Sequence, residues 1–205
     1  MPHSLQVAPT GRAKCRGCGK SIARGELRFG ETGPNSYGEG EATTWYHVSC
    51  AALMRPDQIL PVLGTTAEQV AERQELMELA TEGVRLVRLP RLVRAERASS
   101  GRAHCRQCRE LIHKGDWRLA LQVFEEGRPS PIGTIHAWCA EAYFGTRALL
   151  PRLRRLTPEL GADDWTSLSQ AIAPRGPGVA KAYPDAGEHE AVEDARSRDA
   201  ASKRS

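Results

Sequence analysis

Apolar residues in this chain fall in short patches broken by glycine, proline and charge, not in long periodic runs. Residues 26–30 and 117–124 have the pattern of short strands. Thr65-Thr66-Ala67-Glu68 has the form of a capping box. It predicts a helix that runs through Val70, Met77 and Ala80 and ends at Gly83. Trp165, Leu168 and Ile172 stand at i, i+3 and i+7, one face of a second helix used for packing. Between these regions an arginine recurs every third residue, at Arg85, Arg88, Arg91 and Arg94. Pro90 argues against a continuous helix there. The expectation is an extended connector with outward arginines, either a solvated linker or a strip that tracks phosphate. From Pro174 onward proline, glycine, alanine and mixed charge predict a disordered tail. No apolar run approaches the ~18 residues of a membrane-spanning helix.

The chain repeats itself. Thr10-Gly11-Arg12-Ala13-Lys14-Cys15-Arg16-Gly17-Cys18 returns as Ser100-Gly101-Arg102-Ala103-His104-Cys105-Arg106-Gln107-Cys108. Ten residues past the second cysteine, both copies place an arginine in an apolar setting, Leu27-Arg28-Phe29 and Trp117-Arg118-Leu119. Each copy then runs through a long insert to a His-x2-Cys, His47 with Cys50 and His136 with Cys139. All six cysteines fall inside these two motifs. Two close pairs separated by a long loop are what a tetrahedral zinc site requires, and thiolate with neutral imidazole is the donor set zinc favours. The expected ligands are Cys15, Cys18, His47 and Cys50 in the first copy, and Cys105, Cys108, His136 and Cys139 in the second. His104 stands where the first copy has Lys14 and is expected to be exposed, and His3, His113 and His189 have no partner pattern. Buried unmetallated cysteines would have to reproduce the same spacing twice. A redox Cys-x2-Cys pair would leave the downstream His-x2-Cys without a purpose.

Composition fits this picture. Of 205 residues 40% are hydrophobic and 5% aromatic, too little for one large core. Units this short need help against a chain entropy of ~1–2 kcal/mol per residue. Structural zinc returns on the order of 10–16 kcal/mol. The first residues lack the basic start and apolar stretch of a signal peptide, so an intracellular chain with reduced cysteines is expected. A net charge of +4, mostly carried by arginine, permits a polyanionic partner without requiring one. The expected fold is thus a pair of small α+β zinc-binding domains. Each tandem finger has a short antiparallel sheet with flanking helices around one Cys3His site. Residues 1–83 form the first finger with its C-terminal helix, 84–93 the connector, 94–173 the second finger and helix, and 174–205 the tail.

Gly-Arg-Ala-x-Cys-x2-Cys, then Leu-Arg-Phe or Trp-Arg-Leu, then Trp-Tyr-His-x2-Cys, resembles the zinc finger of poly(ADP-ribose) polymerases and of DNA ligase III. The run-in from Glu96 to Ala103 is similar to that family's approach to its first cysteine. The resemblance implies two structural zinc ions and recognition of DNA strand breaks by shape, in DNA repair. It also implies phosphate contacts from Arg12, Arg28, Arg102 and Arg118. Family fingers stack apolar residues of the insert on exposed bases. The stacking groups available here are Tyr37 in the first copy and Phe124 and Ile132 in the second. The first insert is otherwise polar and acidic, and Glu125 and Glu126 oppose phosphate in the second. Thr134-Ile135 replaces Trp-Tyr before His136, with Trp138 expected to cover the same space.

The leading expectation is a non-enzymatic protein that binds nicks, gaps or ends and has no membrane or small-molecule partner. It would act in the cytoplasm or nucleoid of a bacterium or the nucleus of a eukaryote. The alternative is a zinc-stabilised module that binds another protein, such as a repair enzyme, for which the acidic inserts and modest charge speak.

Overall fold

The computed structural model describes residues 3–35, 38–125 and 128–173, so Tyr37 and the tail expected from Pro174 lie outside the described residues. In the first unit β1 (Ser4–Val7), β2 (Leu27–Pro34) and β3 (Glu41–His47) form an antiparallel sheet in that order. Three helices follow: α1 (Val48–Met54), α2 (Pro56–Thr65) and α3 (Arg73–Arg85). The second unit repeats the plan with β4 (Leu92–Arg97), β5 (Trp117–Glu125) and β6 (Arg128–His136), then α4 (Ala140–Phe144), α5 (Leu150–Leu156) and α6 (Ala162–Ile172). Two small α+β units with antiparallel sheets are therefore present, as the repeat predicts.

Alternation builds each sheet. Phe29 and Tyr46 are paired across β2 and β3 and fully buried against Ile22, Ile59 and Leu63. Leu119 and Ile135 take the same places across β5 and β6, against Ile112, Leu149 and Leu168. Burying side chains of this size stabilises each unit by roughly 1.5–3 kcal/mol apiece. The neighbouring positions, Arg28 with His47 and Arg118 with His136, then face the opposite side. The period of two thus delivers a metal ligand and an arginine to the same face of each sheet.

Two local expectations differ from the structure. Thr65 closes α2 instead of opening the next helix, because Ile59 and Leu63 commit that stretch to the core. The chain then turns, with the Glu68 N–H donating to the Thr66 hydroxyl, and α3 starts only at Arg73 after Glu72 at φ 53°. Residues 84–93 are not an extended strap. Between the arginines Leu89 and Leu92 recur at the same spacing, and both are buried in the second core through a 3-10 turn and the start of β4. Within the long insert of the first unit, Glu41 and Ala42 pair with Pro34 and Gly33 as part of β3. The helix carrying Trp165, Leu168 and Ile172 is present as α6, with Leu168 and Ile172 buried. No helix among the described residues is long and apolar enough to cross a membrane.

Candidate metal centres and nucleic-acid interface

Each Cys-x2-Cys sits in a tight knuckle. The Cys15 N–H donates to the Lys20 carbonyl and the Gly19 N–H returns to Cys15; in the second unit Cys105 pairs likewise with Glu110 and Arg109. Gly19 holds φ 74°, which glycine adopts without cost, while its counterpart Arg109 holds φ 66° with a side chain. The strand end and first helical turn deliver the second pair. His47 and His136 end β3 and β6, and Cys50 and Cys139 follow three residues later.

Among the described residues two groups of four donors converge, Cys15-Cys18-His47-Cys50 and Cys105-Cys108-His136-Cys139, with ligand atoms all within 4.8 Å of one another. Nδ1 of His47 lies 3.4 Å from Cys18 Sγ and 3.8 Å from Cys50 Sγ. Nδ1 of His136 lies 3.3 Å and 4.0 Å from Cys108 and Cys139 Sγ. A tetrahedron with Zn–S about 2.3 Å and Zn–N about 2.0 Å has edges of about 3.5–3.8 Å, so the donor shells fit zinc in spacing as well as in chemistry. All eight ligands predicted from the sequence are brought together, four to a site.

Neighbouring groups prepare these shells for a cation. The other imidazole nitrogens approach backbone carbonyls, Nε2 of His47 at 3.4 Å from Ser21 O and Nε2 of His136 at 3.1 Å from Leu111 O. This arrangement leaves Nδ1 as the metal-facing atom. The His47 and His136 N–H groups donate to the sulfurs of Cys15 and Cys105, each at 3.3 Å. A hydrogen bond from the Cys50 thiol, against the opposing effect of burial and helped by backbone N–H groups, brings Cys15 down to about 4. A hydrogen bond from Cys139 likewise leads the lowering of Cys105 to about 3. The same sharing pushes Cys50 and Cys139 up, so zinc must displace their protons. Four protein donors close each site, and the metal's task is structural.

The two arginine faces differ. Arg28 is paired across the sheet with His47, and its guanidinium lies 3.6 Å from the centre of the Trp45 ring. It is only 7% exposed, and its Nε has no hydrogen-bond partner among the described residues. Gly30 makes room for this stack: a Cβ there would stand 2.7 Å from Cζ3 of Trp45. In the second unit Ala120 and Thr134 replace Gly30 and Trp45 as a cross-strand pair. Arg118 there donates from Nε to Glu96 at 2.9 Å, and Arg94 binds the same carboxylate at 2.6 Å. Burial opposes ionisation of Glu96, but hydrogen bonds from Arg94 and Arg118 outweigh it and hold its pKa below the usual value. The triad is therefore intact at neutral pH and is lost only as pH falls through that lowered pKa.

The remaining predicted contacts divide. Arg12 and Arg102 are exposed beside the knuckles. Phe124 is committed to protein contacts, its ring 6.2 Å from Tyr46 and beneath Arg55. Ile132 is half-buried against the second core. Trp138 does not take the place of Trp45; it stacks on His136 at 3.9 Å. Trp45 and Glu96, which set the state of the two central arginines, are legible in the sequence only as motif flanks. The coupled change from Gly30 with Trp45 to Ala120 with Thr134 is the available signal.

A tandem pair of small α+β units, each built on a Cys3His zinc site, is the class that fold and site define. Residues 6–87 match the family described as "Poly(ADP-ribose) polymerase and DNA-Ligase Zn-finger region". This match lies within the first unit, and the second unit repeats its ligand plan. The chain is 27% identical over 151 residues to poly [ADP-ribose] polymerase 1 of Gallus gallus, covering 67% of this chain and 15% of that protein. It is 26% identical over 140 residues to poly [ADP-ribose] polymerase of Drosophila melanogaster, covering 61% and 14%. A 50-residue stretch is 32% identical to poly [ADP-ribose] polymerase 1 of Caenorhabditis elegans, covering 24% and 5%. The chain thus spans 15% or less of the length of each of these relatives.

Proposed function

We propose that the protein binds DNA at strand breaks (nicks, gaps or ends) by structure and not by sequence, in DNA repair, and that it is not itself an enzyme. The observation that carries this reading is Arg28, a nearly buried cation with no acidic partner among the described residues, its guanidinium 3.6 Å from the centre of the Trp45 ring and paired across the sheet with His47. A cation fixed in this way loses little rotamer freedom when it meets a phosphate. The knuckle segment of the same finger is basic, and Glu26 follows it, 3.8 Å from His47 Nε2. Arg12, Lys14, Lys20 and Arg24 are exposed, and no acidic residue precedes Glu26 in the chain. Phosphate contacts of this kind supply affinity without reading bases.

The first finger is the principal DNA contact in this reading, despite its acidic insert. In the second, Glu96 neutralises Arg118, which leaves Arg102 and the knuckle as its contribution. Glu96→Gln releases Arg118 and is expected to tighten DNA binding about three- to tenfold, equivalent to ~1 kcal/mol. Anisotropy titrations read this directly, and unchanged or weaker binding by a zinc-loaded variant would show that Arg118 does not face DNA. The activity would be exercised where chromosomal DNA lies, in the bacterial cytoplasm or nucleoid or in a eukaryotic nucleus.

One feature favours the second reading, a protein-binding module. A cleft of about 330 Å3 between the units is lined by Met54, Pro56, Val84, Val87 and Phe124, with Val87 77% exposed. The deciding experiment compares a singly nicked, hairpin-capped duplex with the same duplex sealed. Preference of at least about tenfold for the nick is expected, of the order that one charge-assisted contact supplies. Equal, weak binding to both would reject break recognition and leave the protein partner.

A further inference from the structure

We infer that Arg152 locks the two zinc units into one body of fixed mutual orientation, and that this lock sharpens the discrimination between broken and intact duplex. The second half rests on the DNA reading above; the first does not.

Arg152 belongs to α5 of the second unit but is spent on the first. It is 1% exposed. Its Nη1 donates to the Leu53 carbonyl at the end of α1, and its Nη2 to the Leu79 carbonyl within α3, each at 2.9 Å. Neither acceptor is a carboxylate, and burial pushes the guanidinium down to about 10, where it remains charged at neutral pH. The Leu53 carbonyl lies in the last turn of α1, where carbonyls carry partial negative charge and lack intrahelical donors, so the buried cation completes that helix, while the Leu79 carbonyl inside α3 is a second acceptor. Gly83 keeps the channel open: a Cβ at that position would stand 3.0 Å from Arg152 Nη2 and from Pro56 Cγ.

Further contacts surround the guanidinium. Leu53, Met54 and Leu79 of the first unit form one buried cluster with Phe124 and Leu156 of the second. Gln122 donates to Met54 Sδ at 3.8 Å. Arg155 reaches both Glu72 and Glu75 at 2.8 Å. The segment between the units adds no slack, since Leu89 and Leu92 are themselves in the second core. A loose tether has no use for a buried charge whose two acceptors fit in a single docked geometry. Moving either unit would leave this buried charge without its acceptors, which is strongly unfavourable. Arg152 is thus a positioning residue.

The consequence for DNA follows from stiffness. Two tethered fingers adjust to whatever duplex they meet. Two locked fingers present basic faces at a set angle, and the DNA must comply. A break bends more easily than stacked, continuous duplex, so the deformation penalty falls on the intact form.

The zinc-loaded full chain tests this. Amide residual dipolar couplings of both units are expected to fit one alignment tensor in the wild type and two in Arg152→Met. Gly83→Ala presses on the same guanidinium from the other side and is expected to do the same, while Arg152→Lys restores part of the lock. Retained zinc and dispersed amide spectra show that each unit is still folded. The nicked-to-sealed binding ratio is expected to fall about tenfold in the unlocked variants. Two tensors in the wild type, or one tensor in both Arg152→Met and Gly83→Ala, would overturn the lock. Two tensors with an unchanged ratio would overturn its role in discrimination. No DNA binding by the wild type would reject the DNA reading and that role together, while the couplings still decide the lock.

Discussion

Chelating both zinc ions is expected to unfold both units, with loss of near-ultraviolet circular dichroism and collapse of amide dispersion. The reason lies in what surrounds each metal. Cys15 and Cys105 are buried members of the two cores, so the ligand shell is part of the packing and not an ornament on it. His47 and His136 terminate the strands that bury Tyr46 and Ile135. Without zinc, three sulfurs per site that are thiolates in the loaded protein must share protons in a confined space, and the helix after each His-x2-Cys loses its anchor. A structural zinc contributes on the order of 10–16 kcal/mol near neutral pH, as much as the whole stability of an ordinary domain, about 5–15 kcal/mol. Native mass spectrometry should find two zinc ions per chain. Replacing Cys15 with alanine should leave one ion and unfold the first unit. A chelated protein with unchanged near-ultraviolet dichroism would refute the structural role.

Arg28→Ala is expected to weaken nicked-duplex binding by about ten- to a hundredfold, in keeping with ~1.5–3 kcal/mol for a hydrogen bond to a charged group. The slope of log affinity against log salt should fall by about one phosphate's worth, roughly 0.9. Zinc content should hold, because Arg28 touches Trp45 and not the metal ligands' donor atoms. No acid is left unpaired by its loss, so the cost to folding is that of the lost packing on Trp45. Arg118→Ala makes the contrast. Its loss should change binding less than about threefold, since Glu96 already holds the guanidinium. Equal effects of the two substitutions would refute the asymmetry between the fingers, and no effect of either would remove the DNA face altogether.

Some of these features are legible in the order of residues alone. Metal ligands are a discrete code: zinc accepts few donor types, at few spacings, and the repeat states the code twice. Strand-like residues near Arg28 and Arg118 are legible because alternation needs only neighbours in sequence. The Thr65–Glu68 pattern misleads because a cap is a local preference of about 1 kcal/mol. Burying Ile59 and Leu63 in α2 outweighs it. The arginine repeat of residues 85–94 misleads in the opposite way. Its charged members draw the eye from Leu89 and Leu92 at the same spacing, and those two decide where the segment lies.

Sequence alone determined that this protein has two Cys3His sites suited to zinc, which eight donors make them up, and that small α+β units surround them. Each of these depends on residue type and on spacing along one chain. Only the tertiary structure decided which arginine is held by a carboxylate, where Phe124 spends its ring, and which carbonyls Arg152 meets. Those outcomes depend on partners far away in sequence, namely Glu96 against Arg118, Tyr46 against Phe124, and Leu53 and Leu79 against Arg152. A charge or a ring has the same appearance in a sequence whether it is free or satisfied. Its availability is set by the energy of the contacts that folding brings to it.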